Sequence, residues 1–173
     1  MRTILTIFFL MITMALSREK VNKIKEIEIM PLDTLKEVVI IPERYDSVII
    51  KTLLDSGVSK ELSLIILAQA LHECDSFQSR IFEENWNFSG MKRPKKRLTT
   101  SVGKNRGHAV YNSVEECAQD YIYYMRCWNI PFHETSITKY CKLLKKKGYF
   151  EDDINIYING VRSQYKKLKI TNV

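Results

Sequence analysis

A glutamate closes a nearly all-apolar helical segment of this 173-residue chain, and acid chemistry is readily built at such a position. Leu62-Ser-Leu-Ile-Ile-Leu-Ala-Gln-Ala-Leu71 runs directly into His72-Glu73-Cys74. At helical spacing, Glu73 lies seven, four and three residues beyond Ile66, Gln69 and Ala70, and so shares their face. A carboxyl group at the end of an apolar helix is partly desolvated, and desolvation favours its neutral form. Such a group stays protonated near neutral pH and can donate a proton to a leaving oxygen. Spacing alone equally allows Glu73 to be the first solvated residue past a buried helix. Other chemistries find less material: His72, His108 and His133 are too few and too scattered for a metal site, and no cofactor is expected.

The elements that would carry this residue are mostly helices. Apolar residues make up 45% of the chain and charged residues 27%, which excludes a disordered, collagenous or polytopic membrane protein. The length suits one domain. From Pro42 onward Tyr45, Val48, Ile49, Thr52 and Leu53 follow the helical period, with Gly57 just past the end. A second helix opens after Ser59 and is apolar almost all round, which marks it as central and buried. Ser113-Val-Glu-Glu116 is a capping box for a third, whose stripe runs Val114, Cys117, Tyr121, Tyr124 and Trp128. A fourth carries Ile137, Tyr140, Cys141 and Leu144 and stops at Gly148. A fifth follows the acids Glu151-Asp152-Asp153 and runs through Ile154, Tyr157, Ile158, Val161, Tyr165 and Leu168. Between the second and third helices, Leu98–Val102 and His108–Tyr111 read as two short strands around a Gly103-to-Gly107 turn. The expected class is mainly α (α+β), a helical domain with a small β-hairpin lobe.

Two segments beyond Glu73 sharpen the reading. Ala68-Gln-Ala-Leu-His-Glu73 followed by Asn85-Trp-Asn-Phe-Ser-Gly-Met-Lys92 resembles the motif pair of bacterial cell-wall endo-β-N-acetylglucosaminidases. These form glycoside hydrolase family seventy-three, which includes the flagellar rod-cap hydrolases. Arg106-Gly-His-Ala-Val-Tyr111, the stretch from Ser113 to Asp120-Tyr121, and Gly148-Tyr-Phe-Glu-Asp-Asp with Tyr157 resemble the family in the same order. The resemblance covers roughly residues 45–168. It implies a lysozyme-like fold with Glu73 as general acid beside a sugar cleft. It also implies that Asn87, Phe88, Gly90 and Lys92 line or shape that cleft, and that the Tyr149 hydroxyl reaches the reaction centre. Tyr111 is either a stacking platform for a sugar ring or an ordinary strand residue. Tyr121 and Tyr157 lie on apolar helix stripes, where packing competes with a role at the substrate.

One departure from the family stands out: no Asp or Glu lies between Glu84 and Glu115. A two-carboxylate scheme then lacks its second member in the hairpin, leaving Asp75, Glu83 and Glu84 as nearby candidates. The substrate's own 2-acetamido group is the alternative nucleophile, with Tyr149 stabilising charge. A lytic transglycosylase of the same fold, also working with one glutamate, is the rival enzyme. A non-catalytic wall-binding module is the rival of another class.

Charge and the N-terminus address the partner and the compartment. Lys plus Arg total 27 against 20 Asp plus Glu, a net charge of +7. Met91–Arg106 holds seven Lys or Arg and no acid, and Lys139–Lys147 holds five Lys. Such a surface attracts polyanions. Peptidoglycan glycan strands are the expected partner; a nucleic-acid binder would explain the charge but not Glu73 and Gly90-Met-Lys92. The protein is expected to be a monomer. Ile4–Leu16 is apolar except for Thr6 and Thr13, and its 13 residues make about 20 Å of helix, short of the ~30 Å hydrocarbon core. With Arg2 before it and Ala15-Leu16-Ser17 after it, this reads as a signal peptide over residues 1–17. A tether over 18–41 then leads into the domain at 42–170. Export without a stable membrane anchor, to the periplasm or the exterior, is the expectation. In that compartment Cys74, Cys117, Cys127 and Cys141 have the option of disulfides, except that Cys117 and Cys127 share a helix too far apart to pair.

Overall fold

A computed structural model describes residues 44–171. The signal peptide and tether expected over residues 1–41 lie outside the described residues. Six helices and one two-stranded antiparallel hairpin make up the described chain: α1 Tyr45–Asp55, α2 Lys60–Glu73, α3 Arg80–Asn85, β1 Gly103–Asn105, β2 His108–Val110, α4 Val114–Cys127, α5 Ile137–Lys146 and α6 Ile154–Thr171. No helix among the described residues is long and apolar enough to cross a membrane.

The centre is α2. Ser59 caps it by accepting from the Leu62 amide, and Leu62, Ile65, Ile66, Leu67, Ala68 and Ala70 are all buried. It packs most extensively on α6, and also on α1. Gly160 lets α2 and α6 pack closely: a Cβ there would fall 2.3 Å from His72 Cε1, so any side chain would have to displace the His72 ring. Asp153 caps α6 by accepting from the Asn155 and Ile156 amides. Ser113 caps α4 as its capping box predicts. Glu116, however, reaches back to the Asn112 amide (2.8 Å) and the Asn112 side chain.

Two local expectations change. The segment Leu98–Val102 is not a strand: Leu98 and Val102 are 67% and 55% exposed, and β1 begins at Gly103. The tight turn decides this. Arg106 and Gly107 both take positive φ, the geometry of a two-residue hairpin loop, and register then pairs Asn105 with His108 and Gly103 with Val110. The short helix α3 was not expected, because its six residues are too few to show a period. It is capped by Ser79 and held by an edge-to-face cluster of Tyr45, Phe77, Phe82 and Trp86, with ring centres 5.1–5.9 Å apart.

All four cysteines are free. Cys74, Cys117 and Cys141 are used as small core residues, and burial pushes each thiol up to about 12. Cys127 is exposed at the end of α4.

Candidate active site

Glu73 is the last residue of α2 and half-buried. Directly after it the chain makes a left-handed turn, with positive φ at Asp75, Ser76 and Phe77 in succession. Three such residues in a row are costly for L-amino acids. The turn is held by the Ser76 amide donating to Leu71 O, the Ser79 amide donating to Cys74 O, and the Phe77 ring packed on Tyr45 and Phe82.

The two carboxyl oxygens of Glu73 have different surroundings. The Tyr157 hydroxyl donates to Oε1 at 2.5 Å. Tyr157 is itself clamped: Phe150 stacks flat on its ring at 3.6 Å, and His72 meets it edge-on at 5.4 Å. The other oxygen, Oε2, faces Gly90, where even a Cβ would lie 3.6 Å away. Burial raises the proton affinity of Glu73 above that of an ordinary carboxylate. The Tyr157 hydrogen bond opposes that rise, and the charge of Asp152 adds to it. Tyr157 keeps its proton, since burial and the neighbouring Glu73 both push its phenol upward. The arrangement can therefore supply a neutral acid with one oxygen held and one free.

Gly90 belongs to a loop organised from within. Asn87 Nδ2 donates to Met91 O (2.9 Å) and Ala109 O (3.0 Å), while its Oδ1 accepts from the Ser89 amide and hydroxyl. His108 Nδ1 lies 2.8 Å from Gly90 O, and the Tyr149 hydroxyl donates to Ser89 O at 2.5 Å. Beside this loop runs a groove of 720 Å³, lined on one wall by Ser89, Gly90 and Lys92 and on the other by Tyr149 and Phe150.

The residues expected at the cleft separate accordingly. Gly90, Lys92 and Tyr149 line the groove, with Gly90 against Glu73. Asn87 and Phe88 are buried and do not line it, Asn87 instead tying the loop together through Met91 O and Ala109 O. Tyr111 and Tyr121 are a correction, because both are fully enclosed in the core. The Tyr111 hydroxyl donates to Asp120 Oδ2 (2.8 Å), and the Tyr121 hydroxyl donates to Gln69 Oε1 (2.9 Å) beside Tyr140. Neither can meet a sugar without unpacking α4. Among the candidate second acids, Glu84 is held by Arg80 and Arg106, which pull its carboxyl down to about 2. Asp75 and Glu83 are exposed and make no hydrogen bond to Glu73.

Sequence reasoning missed two members of the site. Tyr157 was named, but its place on an apolar stripe argued for packing. Asp152 was read only as a helix-terminal acid, although its charge reaches both Glu73 and His72. The run Glu151-Asp152-Asp153, six to four residues ahead of Tyr157, was the available signal. No group of three His, Cys, Asp or Glu able to hold a metal occurs among the described residues.

A family model described as glucosaminidase, mannosyl-glycoprotein endo-β-N-acetylglucosaminidase, matches residues 55–170. Neither the curated proteins nor the solved structures contain a match to the chain.

Proposed function

From the premise that the chain belongs to this glucosaminidase family, and is thus an endo-β-N-acetylglucosaminidase acting on glycans, we propose that it is an exported peptidoglycan hydrolase. In this reading it cleaves the β-1,4 bond after N-acetylglucosamine, with Glu73 as general acid. The observation that carries the reading is the Glu73 carboxyl itself: partly desolvated, held at Oε1 by Tyr157, and open at Oε2 beside a glycan-sized groove. Export rests on the Met1–Ser17 pattern.

The steps follow from that geometry. Glu73 gives its proton to the glycosidic oxygen as the C1–O bond breaks. Gly90 lacks a side chain and so leaves room for the bridging oxygen to approach. The Tyr157 hydroxyl, already donating to Oε1, stabilises the carboxylate that forms. The substrate's 2-acetamido oxygen attacks C1 and forms an oxazolinium ion. Water then opens that ring, giving a proton back to Glu73 and retaining configuration. Tyr149, held against Ser89, borders the groove where positive charge develops.

Zymography on whole cell walls, followed by product analysis, tests the proposal. The expected result is a cleared band and a reducing N-acetylglucosamine end. A 1,6-anhydromuramyl end would replace hydrolysis by transglycosylation, and cleavage of mannosyl-glycoproteins but not walls would replace the substrate.

A further inference from the structure

The groove beside Glu73 carries an asymmetry of charge that acid catalysis does not require. Lys92, Lys95, Lys96 and Lys147 line it, with Glu151 the one carboxylate among its lining residues. Lys92, Lys95 and Lys96 are exposed, and no described residue forms an ion pair with any of them. Arg97 also lines the groove but is neutralised at its base by Asp120, two nitrogens to two oxygens at 2.7 and 2.9 Å. The rim lysines therefore present uncompensated charge to whatever occupies the groove.

A further feature suits a sugar chain rather than a simple ion. Trp128 lines the groove with 42% of its surface exposed, and Lys147 lies 5.5 Å from its ring centre. A flat apolar ring beside a cation fits a sugar unit bearing an acidic substituent.

We infer that this groove is an anion-selective subsite that holds a carboxylate-bearing stretch of the same glycan strand that Glu73 cuts. The inference rests on the hydrolase reading for the strand's identity but is tested through binding alone. Carboxylates on groups pendant from the strand meet Lys92, Lys95, Lys96 and Lys147, while a sugar face rests on Trp128. Glu73 does not itself line the groove, but Gly90 does and lies against the Glu73 carboxyl, so a strand held in the groove passes next to the acid. Neutral glycans lack the charged half of this recognition.

The test uses full-length Glu73→Gln protein, so that no turnover confuses the binding isotherm. Adsorption is measured on insoluble wall glycan in three forms: untreated, with carboxylates converted to amides, and with phosphate polymers stripped by hydrofluoric acid. Amidation is expected to weaken binding about tenfold, as loss of several rim charge pairs should, and stripping to leave it nearly unchanged. In the Lys95→Gln/Lys96→Gln/Lys147→Gln triple variant the untreated and amidated forms should bind within twofold of each other. Cys127, the exposed cysteine of the groove, reports location: untreated glycan should slow its alkylation several-fold, and amidated glycan should not. Equal binding of untreated and amidated glycan would overturn the inference. So would a loss that follows phosphate stripping, or an unprotected Cys127. The amidation arm needs no substitution, so misfolding of the triple variant cannot mask the answer. Failure of zymography with these binding results intact would instead count against the hydrolase reading.

Discussion

Of the three described carboxylates that accept a hydrogen bond from a tyrosine, Asp120 and Glu73 serve opposite ends. Asp120 on α4 takes the Tyr111 hydroxyl at 2.8 Å and is fully enclosed, and Arg97 meets both of its oxygens. Glu73 on α2 takes the Tyr157 hydroxyl at 2.5 Å, is half-buried, and has no cation bonded to it among the described residues. The difference is the counter-ion. A guanidinium in bidentate contact makes the first pair a structural tie between the lysine-rich loop and α4. Desolvation without a cation suits the second to the proton-donor role proposed for it. The tyrosine is common to both and decides neither.

The largest expected effect breaks the catalytic half. Glu73→Gln keeps the shape and can still accept from Tyr157, but it has no proton to give. Glycan cleavage should fall by about 10²–10⁴-fold in a turnover assay. Stability should move the other way. The folded-state proton affinity of Glu73 is raised, so its contribution to stability is full below the ordinary glutamate range and is lost as pH rises through the folded-state value. The glutamine does not titrate. Thermal melts should therefore show the variant gaining on the wild type as pH rises, and a wild-type advantage that grows with pH would contradict the assignment.

Asp120→Asn breaks the structural half. It leaves Arg97, whose side chain is only 11% exposed, without its counter-charge. Denaturant unfolding should show a loss of about 3–5 kcal/mol, as expected when one partner of a buried pair is removed. Activity per folded molecule, measured well below the unfolding transition, should fall far less than in Glu73→Gln. If the two variants lost activity equally, the division of labour proposed between them would collapse.

Smaller effects sharpen the comparison through pH. Tyr157→Phe removes the bond that favours the Glu73 carboxylate, so Glu73 should hold its proton to higher pH. The alkaline limb of the kcat profile should move upward, with turnover reduced about tenfold as an oxyanion donor is lost. Asp152→Asn removes a negative charge that disfavours the same carboxylate, so the limb should move downward. This shift should be the smallest of the four, because Asp152 is exposed and its charge is screened. Shifts of the same sign in both variants would show that these groups do not act through Glu73.

Much of the scaffold was legible because local rules and burial agreed. Ser59, Ser113 and Gly148 marked helix ends where α2, α4 and α5 begin or stop, and the apolar run of α2 is central as its composition required. The misreadings occurred where a local signal was weak or ambiguous. Leu98 and Val102 looked like strand residues, yet the Arg106-Gly107 turn set the register and left both in solvent. Arg97 looked like one cation among seven in a basic run, but Asp120, 23 residues away, takes it out of the exposed set. Tyr121 and Tyr157 share the same pattern on an apolar stripe, and only one of them reaches Glu73.

The sequence by itself determined the helical periods, the caps that bound them, the excess of positive charge, and the carboxyl at the end of the most apolar helix. Each of these depends on residues within a turn or two of one another, or on composition. Tertiary structure alone decided which of those groups are desolvated, paired or left facing the groove. Proton affinity depends on burial and on charges a few ångströms away, and those neighbours arrive from distant parts of the chain. Tyr157 lies 84 residues from Glu73, and Gly90 reaches the same carboxyl from a separate loop. No spacing rule spans such separations, so the acid became a site only when α2, α6 and the Asn87 loop packed together.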